Sequence, residues 1–393
     1  MDQADYLLAI DNKYYGLLEI KGFTDMLKDP SLCYKFYWLE AIVNLINQNV
    51  TETTIGDVID EMIANAWYSV VEYHIHLSGF VKGEVVDGLE RAINKLNEVS
   101  DLTSSSSKDE IKNAIKLHGS ALKSERKQLT NMVPYRALAG FFSNHNYTVN
   151  WNRLGELIEQ TSVFDQNVVT LPYVFGEGRC LDRKIIFSSE WIKMINCSSE
   201  EILGWIQYEK LKWLQDNNPE VPSLVYKLSR IGNERKLSKV RNLWEGVFEC
   251  AEIYDIYTGK MIDSKNYDVD HFVPWSFVMN DELWNLMPMD SSLNSSKNNN
   301  LPIWDTFFDG FAHNQYLLYS LIHEREGIHS LFEKCYKDNL HSIWAQKELY
   351  VRGNNEERFY SILSKNMRPV YDSAMRQGYS VWNRMNCSNS QEN

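Results

Sequence analysis

Apolar residues recur at intervals of three and four positions over most of the chain, and this helical period is the feature that most constrains its fold. Three such runs lie before residue 100, and their leading members are Phe36, Leu39, Val43 and Ile46; Ile59, Met62, Ala66 and Val70; and Val86, Leu89, Ile93 and Leu96. The same period returns after residue 304, in segments such as FAHNQYLLYSLIHE. Helices of this kind bury their apolar faces against one another. We therefore predict a mainly α fold with a small α+β insertion.

A different pattern interrupts the helical one between residues 132 and 222. The segment LPYVFGEGRCLDRKIIF predicts two short strands around a Gly-Glu-Gly turn, and Pro219 and Pro222 end the helix that follows. Because 393 residues exceed one ordinary core, we expect several packed units. We predict a helical region at 1–131, a mixed α/β region at 132–222, a compact site-bearing region at 223–303 and a second helical region at 304–393.

Composition is typical of a folded protein outside the membrane. Hydrophobic residues make up 44% of the chain and charged residues 24%, which suits a packed core and not a disordered chain. No apolar run is long enough to cross a bilayer, and the first residues, MDQADYLLAIDNK, carry acids where a secretory signal needs basic residues. We therefore expect a cytoplasmic protein with no membrane partner.

The cysteines argue against a zinc-stabilised domain. All six are scattered, and no two form a CxxC pair. Scattered cysteines are typical of a reducing compartment, whereas a structural zinc needs four Cys or His ligands at characteristic spacings. We therefore expect no structural zinc.

Charge is distributed unevenly along the chain. The net charge of -13 disfavours general contact with a polyanion, because sequence-independent binding depends on Lys and Arg at phosphates. One segment, KLSRIGNERKLSKVR, nevertheless combines a single acid with six basic residues: Lys227, Arg230, Arg235, Lys236, Lys239 and Arg241. A run of this kind is either a solvated helix face or a nucleic-acid contact. The run alone leaves both alternatives open, and a site for nucleic-acid chemistry beside it would favour the DNA contact.

That candidate site lies in the segment YDVDHFVPWSFVMNDELWNLMPMDSSLNSSKNNNLP. Its polar residues follow neither strand alternation nor a helix face, which is typical of side chains placed for a site. We predict a strand at Tyr267 to His271, a loop to Glu282, a second short strand at Leu283 to Met287, and a helix from Met289 to about Asn298. Asp290 is the predicted cap of this helix.

The residue types in this segment suit metal-assisted chemistry. Asp270 and Asn294 offer hard oxygen ligands for Mg²⁺, and His271 is a workable base near neutral pH. Lys297 lies one helical turn after Asn294, where an ammonium could hold a phosphate oxygen. Adjacent residues on a strand point to opposite faces, so Asp270 and His271 share one site only if the strand ends or bulges there. Pro274 nearby favours such an interruption.

The same residues resemble the HNH, or ββα-metal, endonuclease domain. The resemblance extends from Asp268 to Pro302 and rests on DVDHFVPWSF, LWNLMP and LNSSKNNNLP. It is closest to the HNH domain of the CRISPR-associated RNA-guided DNA-cleaving effectors. Many HNH domains are clamped by paired cysteines, whereas this segment has only Cys250 nearby, so its scaffold is expected to depend on an apolar core. No RuvC-like nuclease or arginine-rich bridge helix is recognisable, and guide-RNA dependence is not expected.

The resemblance assigns a role to each polar residue of the site. Asp270 and Asn294 match the metal ligands of the family, and His271 matches its general base. Asn285 matches the residue that braces the loop carrying this base, and Lys297 falls on a family lysine. The 223–303 region is therefore predicted to be an HNH nuclease domain flanked by helical regions.

The implied function is a metal-dependent endonuclease that hydrolyses DNA phosphodiester bonds, with Mg²⁺ as cofactor and Mn²⁺ as a substitute. The helical flanks resemble stand-alone bacterial HNH proteins, among which restriction and antiphage roles are common. DNA is the predicted partner, and a second copy of the chain or a defence-system protein stays open as another. Three alternatives remain: an RNA-cleaving nuclease, a non-catalytic scaffold with a decayed HNH fold, and a subunit that another protein directs to its target.

Overall fold

The protein is mainly helical with a few short strands, as predicted. The computed structural model describes residues 8, 10–28, 30, 32–78, 80–81, 84–85, 87–131, 133–144, 171–228 and 235–382. The chain divides into two compact units, Met1–Pro219 with Lys227–Arg230 and Glu220–Tyr226 with Ile231–Asn393. The finer division into four regions stays a prediction.

The first unit is built around two long helices, α2 and α3, that pack against each other. Thr54 begins α3 with a capping box, since its hydroxyl accepts from the Asp57 amide while the Asp57 carboxylate accepts from the Thr54 amide. Ser107 and Glu110 form a second capping box, at the start of α5. The helices of this unit are α1 (Ile20–Thr24), α2 (Tyr34–Asn47), α3 (Ile55–Tyr73), α4 (Gly88–Val99), α5 (Lys108–Leu117), α6 (Lys123–Thr130), α7 (Val133–Arg136), α8 (Ala139–Asn144), α9 (Ser189–Cys197) and α10 (Ser199–Asn217). The short helix α11 (Leu224–Lys227) has residues in both units.

Two small sheets accompany these helices. A three-stranded antiparallel sheet has the order β1 (Glu52–Thr54), β5 (Lys184–Phe187), β4 (Tyr173–Phe175), and a two-stranded one joins β2 (Phe80–Val81) to β3 (Glu84–Val85). The two strands predicted around the Gly-Glu-Gly turn are therefore confirmed. Strand β1 lies within the helical region predicted at 1–131 and was not foreseen, because the partner that makes those residues a strand lies far along the chain, with Glu52 opposite Ile186.

The second unit holds one antiparallel strand pair among helices. Its core is a single cluster of buried apolar residues that includes Trp244, Phe272, Leu286, Phe311 and Phe359. Gln315, fully buried, donates to the carbonyls of Leu283 and Leu286 and so ties a C-terminal helix to the second strand. The elements are α12 (Ser238–Phe248), β6 (Tyr267–His271), α13 (Trp275–Val278), β7 (Leu286–Asp290), α14 (Ser291–Lys297), α15 (Trp304–Glu324), α16 (Glu326–Asn339), a π-helical turn (Ala345–Leu349) and α17 (Glu356–Arg376).

Every helix in the described part of the chain is too short or too polar to cross a lipid bilayer.

Candidate active site

The site is a ββα unit made by β6, β7 and α14. The strands pair antiparallel, with Asp270 opposite Met287 and His271 opposite Leu286, and α14 packs on both strands. Asp290 ends β7 and caps α14 by accepting from the backbone amides of Ser292 and Leu293. The prediction of Asp290 as helix cap is confirmed.

The second strand begins later than predicted. Leu283–Asn285 form a 3₁₀ turn, and the strand runs from Leu286 to Asp290. The prediction of a strand at Leu283 to Met287 is therefore wrong. The cause is Asn285, whose fully buried side-chain amide hydrogen-bonds to the loop that follows β6. Asn285 is therefore part of that loop arrangement and does not pair as a strand residue.

Asn285 braces this loop through a reciprocal pair of hydrogen bonds. Its Oδ1 accepts from the Val273 amide and its Nδ2 donates to the Val273 carbonyl, each at 2.8 Å. The Asn285 carbonyl also accepts from the Phe272 amide at 2.9 Å. These bonds fix the backbone directly after His271, and their geometry agrees with the bracing role that the sequence predicts.

We expect Asn285→Ala to destabilise the second unit by about 2–4 kcal/mol, because both Val273 backbone groups lose their partners in a buried place. Urea unfolding followed by tryptophan fluorescence measures the loss. Asn366→Ala is the matched control, since Asn366 is only partly buried and makes one helix-internal bond, to the Ile362 carbonyl. Equal unfolding free energies for the two variants would contradict the bracing role.

Lys297 links the first strand to the helix. Its buried ammonium lies 2.9 Å from Asp270 Oδ2 and donates to the His271 carbonyl at 2.8 Å. The sequence predicted that this ammonium holds a substrate phosphate. That role stays a prediction; in the structure the ammonium contacts the carboxylate and the backbone of the two central site residues.

Asn294 contacts the carboxylate of Asp268. Its Nδ2 donates to Asp268 Oδ2 at 3.2 Å, and Asp268 is also 3.7 Å from Arg241 Nη2. Asp268 and Asp270 are two apart on β6 and share one face of the strand pair. The sequence analysis did not select Asp268, although the alternation in DVD placed it on the same face as Asp270.

His271 is the last residue of β6, and its imidazole is almost completely buried at 1% exposure. Its Nε2 is 3.1 Å from the Asn280 carbonyl and 3.1 Å from Asp281 Oδ1. Its Nδ1 is 3.1 Å from Arg235 Nη2. Strand β6 ends at this residue, still paired with Leu286, and the ring contacts the following loop. The strand end that the sequence analysis required for a shared site is therefore present.

These partners determine which nitrogen carries hydrogen. A guanidinium only donates, so Nδ1 accepts from Arg235. A carbonyl and a carboxylate only accept, so Nε2 carries the hydrogen of a neutral ring. Burial lowers the pKa of His271, and the contact with Asp281 opposes this shift only in part. The ring is therefore neutral with its lone pair on Nδ1.

Asp281 is a site residue that the sequence analysis missed. Burial alone raises the pKa of Asp281, but the contacts with His271 and with the Lys236 amide outweigh it and lower the pKa. The Lys236 amide donates to Oδ2 at 2.5 Å. Asn339 in α16 donates to both the Asp281 and Lys236 carbonyls at 2.8 Å. No local pattern reveals these contacts, because the partners are far apart in sequence.

The loop is also anchored by Glu282. Its buried carboxylate accepts from Trp284 Nε1 at 3.0 Å and from the His341 amide at 2.8 Å. The Ser342 amide donates to the same carboxylate at 3.2 Å. Together with Asn339, this contact makes the segment after α16 part of the support of the site.

The predicted basic patch is only partly present. Lys227 is fully buried in the first unit, and burial lowers its pKa to about 7, so its prediction as a DNA contact is wrong. Arg230 lies outside the described residues. Arg241 donates to the Tyr267 carbonyl at 3.0 Å beside the strand. The side chains of Arg235, Lys236, Lys239 and Arg241 are exposed, at 45%, 60%, 40% and 42%.

The oxygen ligands fit a hard divalent cation. Asp270 is mostly buried with its Oδ2 paired to the Lys297 ammonium, and Asn294 keeps its Oδ1 because its Nδ2 makes the contact to Asp268. A few carboxylate and amide oxygens completed by water suit Mg²⁺. Among the described residues, no three His, Cys, Asp or Glu side chains form a metal-binding group.

Comparison with known proteins identifies this part of the chain. Residues 255–303 match the family model described as HNH endonuclease, which confirms the predicted family for this segment. The match includes every ββα residue discussed above and excludes the basic residues before it. No curated protein and no solved structure matches the chain. The closer resemblance to RNA-guided effectors stays a prediction.

Proposed function

We propose that this HNH domain makes the chain a metal-dependent endonuclease that hydrolyses DNA. The observation that carries the proposal is the geometry around His271, whose Nε2 faces two acceptors and whose Nδ1 faces a donor. Beside it, β6 and α14 provide the oxygens of Asp268, Asp270 and Asn294. A base and a hard-oxygen face at the end of one strand are what phosphodiester hydrolysis requires.

His271 is the general base in the proposed reaction. A water molecule attacks phosphorus and gives its proton to Nδ1, while the bond from phosphorus to the 3′-oxygen breaks and that oxygen leaves as a hydroxyl after protonation by solvent. The acceptors at Nε2 fix the ring and favour the imidazolium that forms. Lys297 holds the Asp270 carboxylate and the His271 carbonyl in place. A divalent cation in such a site stabilises negative charge on the phosphate.

Cleavage of supercoiled plasmid by the full chain tests this proposal. We expect nicked or linear DNA with Mg²⁺ or Mn²⁺ and none with EDTA. Intact plasmid under all conditions, with Mg²⁺ binding absent in calorimetry, would contradict it. A DNA oligonucleotide and an RNA oligonucleotide of the same sequence, compared in one assay, distinguish the proposed substrate from the RNA alternative.

The basic residues that remain exposed are proposed to contact the DNA backbone. We expect the triple variant Arg235→Ala, Lys236→Ala, Lys239→Ala to bind DNA more weakly and to reduce the slope of log affinity against log salt by about 2.7, the value for three phosphate contacts. Fluorescence anisotropy in EDTA measures the slope without cleavage. The control triple variant replaces three exposed basic residues of the same unit: Arg352, Arg358 and Lys365.

We also propose that the chain serves in bacterial defence, with the helical regions sensing a signal or holding a partner. The support is the looser resemblance of those regions to stand-alone bacterial HNH proteins. Plaque counts on cells that express wild type or His271→Ala test the role. Equal counts for both would contradict a nuclease-dependent defence.

A further inference from the structure

The proton-accepting atom of the proposed base is covered. Nδ1 of His271 carries the lone pair, and Arg235 Nη2 lies 3.1 Å from it. While that hydrogen bond exists, a water molecule cannot occupy the same position and deliver its proton there. The conformation therefore holds the base in a correct tautomer but in a blocked state.

Arg235 is held over the ring by weak contacts. Its guanidinium lies 5.6 Å from the Trp275 ring centre in a cation–π arrangement, and its Nε is 3.8 Å from Asp281 Oδ1. The side chain is 45% exposed, whereas the imidazole beneath it is 1% exposed. Arg235 thus forms the solvent-facing cover of an otherwise buried base.

We propose that Arg235 masks His271 in the DNA-free protein and that the phosphodiester backbone of the substrate draws the guanidinium away. This inference rests on the proposed function, because it assigns a gating role at the same site. It goes beyond a plain phosphate contact, since the same arginine would control whether the base accepts a proton.

Relative bond strengths favour this exchange. A guanidinium binds a phosphate through two parallel charge-assisted hydrogen bonds, whereas it gives the neutral imidazole only one. The long side chain needs only rotamer changes to move, and the Lys236 amide keeps its bond to Asp281 when the guanidinium leaves. Binding of a DNA backbone would therefore uncover Nδ1 and leave the Nε2 partners unchanged.

The masking predicts a specific chemical reactivity. Diethyl pyrocarbonate reacts with the unprotonated ring nitrogen, which here is Nδ1. In DNA-free protein we expect Arg235→Ala to increase the rate of His271 carbethoxylation by about tenfold, the factor that a charged hydrogen bond represents. Peptide mass spectrometry measures the rate, with the exposed ring of His313 as internal reference, since that side chain is 66% exposed.

Arg368→Ala is the matched control. Arg368 also has 45% side-chain exposure, stacks at 5.2 Å on an aromatic ring, Trp304, and pairs with an aspartate, Asp372. It should leave the His271 rate at the wild-type value. Arg235→Gln gives a second, folding-conservative test, and the proposal is overturned if folded Arg235→Ala and Arg235→Gln proteins label His271 no faster than wild type.

A kinetic measurement separates failure of this inference from failure of the proposed function. Bis(p-nitrophenyl) phosphate is a phosphodiester too small to bind much of the protein, so we expect wild type to hydrolyse it slowly and Arg235→Ala to hydrolyse it faster. Faster labelling without hydrolysis of any phosphodiester by either protein would support the mask and contradict the nuclease. Plasmid cleavage with unchanged labelling would support the nuclease and overturn the mask.

Discussion

Replacing His271 with Ala should reduce the rate of DNA cleavage at saturating substrate by a factor of about 10²–10⁴, the usual contribution of a positioned general base. The DNA affinity should stay near the wild-type value, because the ring is 1% exposed and neutral and so offers little surface or charge to a phosphate. Plasmid cleavage with Mg²⁺, together with anisotropy in EDTA, measures both quantities on the same preparations.

His323→Ala is the control for this prediction. His323 is a partly buried histidine whose Nε2, like that of His271, lies 3.1 Å from a backbone carbonyl, here that of Tyr350. The proposal places no metal ligands beside it. We expect this variant to cleave at the wild-type rate, and unchanged cleavage by His271→Ala would show that the base has been assigned to the wrong residue.

The parts of the site that could be predicted depend on contacts between near neighbours in sequence. Asp290 as a cap, strand β6 and helix α14 follow from turn and capping chemistry within a few residues. The position of β7 could not be predicted, because the Asn285 side chain hydrogen-bonds to the backbone of Val273, which lies twelve residues earlier. Because the Asn285 side chain holds the loop in this way, the strand begins only at Leu286.

The control of the base could not be predicted, because it depends on distant contacts. Arg235 contacts His271, which is 36 residues away in sequence, and Asn339 contacts Asp281, which is 58 residues away. The sequence identified Arg235 only as one member of a basic run. Its position over one ring nitrogen needs the packing of α16 against α12 and the loop, which no spacing rule describes. The burial of Lys227 could not be predicted for the same reason, because it depends on tertiary packing and not on the local sequence.

Replacing Asp270 with Ala should have two separable effects. Cleavage should fall by about 10³-fold or more, because the proposed cation loses a carboxylate worth several kcal/mol at the transition state. The fold should also lose about 3–5 kcal/mol, because the buried Lys297 ammonium loses its counter-charge. Mg²⁺ should raise the melting temperature of wild type and not of the variant. Asp309→Ala, at an exposed carboxylate, should change none of these quantities.

The double variant Asp270→Ala, Lys297→Met distinguishes the two effects. Removing both charges eliminates the unpaired buried ammonium, so a large part of the lost unfolding free energy should return. Cleavage should not return, since the metal ligand is still absent. If recovered stability brought cleavage back, Asp270 would act only as a structural partner of Lys297. If Asp270→Ala alone cleaved at the wild-type rate, Asp270 would not be a metal ligand. The ligands would then have to be Asp268 and Asn294, which already contact each other.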